Sequence, residues 1–596
     1  MATASSRMNA IMVSPARADP PFPVESLPDD VLALVLRSLA RTSFRHALVS
    51  KRWYRLATSA LSHLTIRHQN LSMQEIRDSE HFRNAQLAWL PLPRLLFALR
   101  HFPTLTHVSL GEFSIVSADG DALIRCLAAT CPFLSHLTVE HQFRMAVTVD
   151  GLASLFHGCR KLRELRLLTT DGLPHLPPSL SLLTDLQTLH VCAHPLYGDD
   201  SLQELVSPPE SIGALQQLRE LRVSAGSSFQ GLGECVGRLT DLRKLSIGTT
   251  HLSRTVTKLP DAIGDLDRLE SLEVELDGLE CIPESLQLLT GLKSLSLQSK
   301  RLQRLPGNVM AGLTQLQSLS LHACDSLGIL PESLCFLPLS SLSISSCSSL
   351  ISLPHHIGAL SHLETLKLLS LDNIRVLPES MGDLPQLITL ELDLPALEHL
   401  PERLCEGSLS ACLEKLSLTN CNELTELPPS LYMLTRLESL HIESCSNINV
   451  PILAFDVASN GTEQHPGLFS LTILKVSDCP LISSLPKNFS FPALHTLTLH
   501  SLGVPNNLLD LSSRQLPQLQ RLVLERMGAE ADPWLFDRIP GVRSGRMRLF
   551  LHVKALFVLL HVVDLLLQLV VLLMRAGCSV LQGAFAWSLG RVCRSS

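Results

Sequence analysis

LPESMGDLPQLITLEL, residues 377–392, carries two patterns back to back. Its second half, Leu387 to Leu392, reads LxxLxL. In an extended chain successive side chains point to opposite faces, so Leu390 and Leu392 share one face and Glu391 takes the other. Its first half opens on Leu377-Pro378, and the proline ends a strand and sets up a turn. Met381 and Leu384 then bring apolar side chains back toward the interior. No single unit of this size can bury its own leucines. The pattern therefore demands neighbours built the same way.

Those neighbours are present. LxxLxL, with Val or Ile in place of some leucines, opens at Leu105 and recurs at Leu134, Leu162, Leu186, Leu218, Leu242, Leu269, Leu292 and Leu316. It continues at Leu339, Leu363, Leu387, Leu413, Leu437, Leu471, Leu494 and Leu519. Most steps are 23 to 29 residues, and two stretch to 32 and 34. That period fits the leucine-rich repeat, one short strand per coil. The expected fold is an α/β leucine-rich-repeat solenoid with parallel strands on a concave face. The units PESLQLLTGLKSLSL (283–297) and LPPSLYMLTRLESLHI (427–442) resemble repeats of plant intracellular leucine-rich-repeat proteins and disease-resistance receptors. The resemblance spans about residues 100–526. Earlier units differ, because Cys131 and Cys159 stand three residues ahead of Leu134 and Leu162, which is similar to the repeats of F-box proteins.

Cys324, Cys347, Cys421, Cys445 and Cys479 all occupy one slot, LxLxxC. Leucine-rich repeats usually hold Asn or Cys there. A thiol in that slot is a small apolar body with a weak donor, suited to packing against turn carbonyls.

Residues 24–60 read VESLPDDVLALVLRSLARTSFRHALVSKRWYRLATSA. Pro28, Asp29 and Asp30 suit a helix start, where N–H groups are free and the dipole favours acids. Val31, Leu32, Val35, Leu36 and Leu39 follow at helical spacing. A second stretch carries Leu48, Val49, Trp53 and Leu56. This stretch resembles an F-box, through the LPDDVL opening and through Leu48-Val-Ser-Lys-Arg-Trp53. Residues 40–44 depart from the family, which commonly has a proline and an Asp-Leu pair there. LSHLTI at Leu61–Ile66 occupies the place of that family's first strand. The resemblance implies docking to the Skp-family adaptor of a cullin-RING ubiquitin ligase, with Leu27, Pro28, Val31, Leu32, Leu36 and Trp53 supplying contact or packing. It also implies an unknown protein substrate held by the array. The chain would then be the substrate-recognition subunit of an SCF-type ligase and not itself an enzyme. A membrane-associated leucine-rich-repeat scaffold or sensor in signalling or defence stays open as the alternative.

The residue between the two core leucines of each strand should face outward. In order these are Ser109, Thr138, Arg166, His190, Arg222, Ser246, Glu273, Ser296, Ser320, Ser343, Lys367, Glu391, Ser417, His441, Lys475, Thr498 and Val523. The charged and imidazole members (Arg166, His190, Arg222, Glu273, Lys367, Glu391, His441, Lys475) are the candidate partner-binding residues. Two lengthened coils, 192–212 and 446–468, are further candidates, since functional loops ride on rigid scaffolds.

Residues 555–574, ALFVLLHVVDLLLQLVVLLM, break from the repeat and have membrane-spanning length. Their Leu, Val and Phe side chains contribute roughly −4.5 to −9 kcal/mol, and the central Asp564 costs about 3. Tail anchor and solenoid cap both remain open. The expected layout is thus a tail at 1–23 and an F-box-like helical module at 24–66. A connecting segment follows at 67–100, then the solenoid at 101–530 and a hydrophobic helix at 549–575.

Composition narrows the function classes. A net charge of −7 over 596 residues lacks the basic face of a general nucleic-acid binder. Apolar residues at 45% and charged residues at 18% describe a folding chain. The sixteen cysteines form no CxxC pairs, and the first residues hold no signal-peptide core. A reduced intracellular setting, cytoplasmic or nuclear and on one reading anchored to a membrane, is expected. The glycosylation-like triplets at Asn70, Asn460 and Asn488 are then chance matches. No phosphate loop, HExxH or GxSxG elbow is present, so neither metal nor cofactor is expected.

Overall fold

The computed structural model describes residues 63–66, 105–110, 120–139, 147–168, 173, 175–193, 205–249, 255–448, 468–480, 491–500, 518–525 and 548–552. The F-box-like stretch, the hydrophobic run at 555–574 and the centres of both lengthened coils lie outside these residues. The chain divides into two compact units, Met1–Leu269 and Glu270–Ser596.

In the first unit the strands are β1 (His63–Ile66), β2 (His107–Leu110), β3 (His136–Val139), β4 (Glu164–Leu167), β5 (Thr188–Ala193), β6 (Glu220–Ala225) and β7 (Lys244–Thr249). Each pairs in parallel with the next. The second unit continues the same plan with β8 (Ser271–Glu275), β9 (Ser294–Gln298), β10 (Ser318–His322), β11 (Ser341–Ser345), β12 (Thr365–Leu369) and β13 (Thr389–Asp393). It ends with β14 (Lys415–Thr419), β15 (Ser439–Glu443), β16 (Ile473–Ser477), β17 (Thr496–His500), β18 (Arg521–Glu525) and β19 (Arg548–His552). These too pair in parallel, each with its successor.

Burial explains the register. In β8 to β12 the inward positions Leu272, Val274, Leu295, Leu297, Leu319, Leu321, Leu342, Ile344, Leu366 and Leu368 are at most 1% exposed. A slip of one residue would turn every one of them to water. Leucine therefore pairs with leucine on consecutive strands, as in Leu319, Leu342 and Leu366. The seventeen positions read from the period become β2 to β18. Two strands lie outside the interval expected for the solenoid: β1, at the place noted for a first strand, and β19. Residues 549–552 are strand where the hydrophobic helix was expected to begin.

After several strands the chain turns through a left-handed residue: Ala323, Ser346, Ser370, Asn420, Ser444 and Asp478, with φ between 46° and 56°. This turn aims backbone N–H groups at the next coil. Ala323 N donates to Ser345 O at 2.9 Å, and Asn420 N donates to Glu443 O at 2.9 Å. The cysteine slot follows directly. Cys324, Cys347, Cys421, Cys445 and Cys479 are fully buried. Each Sγ lies 3.1 to 3.5 Å from the carbonyl oxygen two residues before it. The Cys445 thiol is pushed up to about 12 by its hydrogen bond to the Cys421 thiol and by burial. At neutral pH it is a packing group rather than a nucleophile.

Return segments come in two kinds. The early coils use true helices, α1 (Gly120–Thr130) and α2 (Val149–Gly158). Thr148 caps α2 by accepting from Gly151 N at 3.1 Å, while Asp121 of α1 accepts from Thr148 N at 2.8 Å. That difference matches the distinct cysteine placement of the early repeats. Later coils mostly use 3₁₀ turns, such as Glu284–Leu288, Glu332–Phe336 and Glu379–Asp383, each preceded by a proline. A short helix, α3 (Gly307–Gly312), replaces the turn in its coil, and another, α4 (Arg403–Glu406), precedes a 3₁₀ turn at Ser408–Ala411. Carboxylates tie coil to coil: Glu332 accepts from His355 N at 2.8 Å and His356 N at 3.2 Å.

The turns stack so closely that glycine is required. A Cβ on Gly358 would lie 2.0 Å from Ser380 O, and one on Gly382 would lie 2.0 Å from Arg403 O. Backbone cannot give way like a flexible side chain. Gly358→Ala is expected to destabilise the array by about 1–3 kcal/mol. The thermal midpoint followed by circular dichroism checks this, and an unchanged midpoint would show that the coils spread freely.

Candidate interaction face

The outward residues of the strands form a continuous row in each unit. In the first, Ser109, Thr138, Arg166, His190, Arg222 and Ser246 are successive register partners. In the second the row runs Glu273, Ser296, Ser320, Ser343, Lys367, Glu391, Ser417, His441, Lys475, Thr498 and Val523. Neighbours along such a row sit about 4.8 Å apart. The face is therefore a legible ladder of side chains, within each unit.

Two members depart from expectation. Val523 is only 6% exposed and His190 only 7%, so neither stands out into solvent. The charges are also less open than their order suggested. Arg166 pairs with Glu164 at 2.5 Å, Lys367 with Glu391 at 3.0 Å, and Lys475 with Glu443 at 2.6 Å. These pairs are partly exposed, and such pairs contribute little to stability. They do leave most of the row's charge locally cancelled. Glu164, Glu220 and Glu443 went unread because they lie one outward position away from the row. Their signal was present two residues before or after the row residue.

The first outward position of each early strand adds a feature that the row missed. His107 and His136 stack with ring centroids 4.0 Å apart and planes within 9°. Ser135 Oγ donates its one proton to Thr106 O at 2.9 Å. Its 2.8 Å contact with His136 must then be accepted from Nδ1–H of the ring. Nε2 of His136 faces Glu164 at 3.8 Å. Among the described residues no group of three or more His, Cys, Asp or Glu side chains is placed to hold a metal ion. No described helix is long and apolar enough to cross a membrane. The candidate adaptor-contact residues Leu27, Pro28, Val31, Leu32, Leu36 and Trp53 lie outside the described residues.

Burial lowers the pKa of His190 from 6.5, against the opposing pull of its 2.9 Å contact with Glu220. A neutral imidazole with a proton on Nε2 makes that contact as well, so burial prevails. His441 is lowered in the same way, by burial and then by Lys475. Because folding favours neutral His190, its stabilisation is complete above 6.5 and is lost as pH falls through the lower folded value. His190→Gln should flatten the decline in thermal midpoint between about pH 7 and about pH 5. An unchanged slope would contradict this.

No family model matches the chain. TMV resistance protein N of Nicotiana glutinosa is 30% identical over 357 residues, covering 53% of this chain and 30% of that protein. The volume-regulated anion channel subunit LRRC8D of Homo sapiens is 26% identical over 209 residues, covering 32% of this chain and 24% of that one. The chain thus spans less than a third of the length of these curated relatives. Among solved structures, a leucine-rich-repeat protein of Leptospira interrogans aligns with a TM-score of 0.48 at 21% identity, covering 81% of this chain and 99% of that one. The functional domain of InlJ from Listeria monocytogenes aligns at 0.41 and 16%, covering 74% and 80%. By the period of its sequence and the in-register parallel strands which that period builds, the chain is a leucine-rich-repeat protein.

Proposed function

We propose that this leucine-rich-repeat scaffold is the substrate-capturing subunit of an SCF-type cullin-RING ubiquitin ligase. The F-box-like stretch would dock a helix into the groove of the Skp-family adaptor, and the array would hold a protein target. Transfer of ubiquitin then takes place on other subunits, so the chain needs no catalytic residue of its own. It works in the cytoplasm or nucleus. The observation carrying this reading is the position of β1. The strand at His63–Ile66 starts ten residues after Trp53 and pairs in register with β2. That junction is the one expected where an F-box leads straight into a repeat array.

A second reading is a scaffold or sensor in defence, with no ligase role and with 555–574 as a membrane anchor. The match to TMV resistance protein N over 357 residues favours it.

Co-purification separates the two. The full chain should retain the Skp-family adaptor and, through it, the cullin, while Leu32→Asp should lose both without shifting the thermal midpoint of the array. Absence of the adaptor from the intact chain overturns the first reading. Retention in a membrane pellet that depends on residues 555–574, with no adaptor bound, supports the second.

A further inference from the structure

The second residue of each LxxLxL unit lies one step before its strand, on the edge where the turns feed back into it. Backbone bonds stack these residues from coil to coil. In the first unit Gln187 N donates to Arg163 O, Arg219 N to Gln187 O and Arg243 N to Arg219 O, each at 2.8 Å. In the second unit Ile388 N donates to Glu364 O, Glu414 N to Ile388 O and Glu438 N to Glu414 O, at 2.8 to 2.9 Å. Each set is a four-rung ladder about 14 Å long. The three arginines are exposed, as are Glu364, Ile388 and Glu438, while Glu414 is half-buried.

The two ladders carry one pattern with opposite sign. From first rung to last, one reads basic, uncharged, basic, basic and the other acidic, uncharged, acidic, acidic. Acids next to the basic ladder are already engaged: Glu164 pairs with Arg166 at 2.5 Å and Glu220 with His190 at 2.9 Å. Exposed Lys244, beside Arg243, adds to its charge. Lys415 and Arg436 stand exposed beside the acidic ladder and weaken its field, but neither lies in the column.

We propose that the basic ladder of one copy of this chain docks on the acidic ladder of a second copy. A half-turn about the ladder axis lets the two edges meet with their rungs running the same way. Arg163 then faces Glu364, Arg219 faces Glu414 and Arg243 faces Glu438, with Gln187 covering Ile388. Running the rungs in opposite directions keeps only two of the three pairs. An acidic polypeptide from elsewhere would satisfy the basic ladder alone. A second copy uses both ladders and matches the uncharged rung of each. Every copy carries one ladder of each sign, so the contact is heterologous and can propagate. It involves no residue of the N-terminal stretch and stands whether or not an adaptor binds there.

Sedimentation velocity of the purified full chain at about 50 µM tests this, because exposed ion pairs give weak contacts. The average mass should exceed that of the monomer in about 0.03 M salt and fall to it in about 0.5 M salt, where screening shortens the reach of charge. Arg219→Glu alone and Glu414→Arg alone should each weaken association by about tenfold or more. An equimolar mixture of the two variants should restore it, because the two reversed charges then face each other. Arg163→Glu and Glu364→Arg, both at exposed positions, repeat the test on another rung. Thermal midpoints verify that every variant is folded. A monomer at low salt, association that resists salt, or a mixture no more associated than its components overturns the proposal. Retention of the monomeric chain by polyglutamate, dependent on Arg219, overturns it in favour of an unrelated acidic partner.

Discussion

Contact between leucines of neighbouring coils, across a parallel backbone ladder, is the interaction on which every other feature depends. Leu342 cannot be buried by its own coil alone. It is buried because Leu319 and Leu366 stand beside it in register. Stability in such an array is close to a sum of nearest-neighbour terms. The turns obey the same constraint. Left-handed residues such as Ser346, buried thiols such as Cys347 and tight glycines such as Gly358 keep coils at the spacing that leucine contact requires.

Much of this was legible because strand period and burial are coupled. Once Leu390 and Leu392 were inward, Glu391 had to be outward, and the same logic placed seventeen strands. Where the logic lacked its leading leucine it failed: Arg546 occupies that place before Leu549 and Leu551, and β19 was missed. The face itself was read by position but not by environment. His190 and Val523 are outward in register yet covered by their neighbours, and a one-dimensional period carries no information about the height of adjacent side chains. Arg166 and Lys475 looked like open charge because their partners, Glu164 and Glu443, sit at other outward positions, whereas Lys367 meets Glu391 of the row itself. The glycine in the turn motif was visible, but its reason, a carbonyl of the next coil 2.0 Å from any Cβ, belongs to stacking.

Function follows from the same division of labour. Core leucines use one face of each strand and leave the rest of the coil free to vary. On the outward face the variation runs toward small hydroxyls and cancelled charge, which suits broad contact with a protein more than capture of a small ion.

The central claim is that inward side chains, shared between coils, hold the fold. Its most direct measurement compares Leu342→Ala with Ser343→Ala, adjacent residues on β11 that face opposite ways. The account predicts a loss of about 2–5 kcal/mol for the first and a change within about 0.5 kcal/mol for the second. Equal effects, or a larger loss from Ser343→Ala, would contradict it.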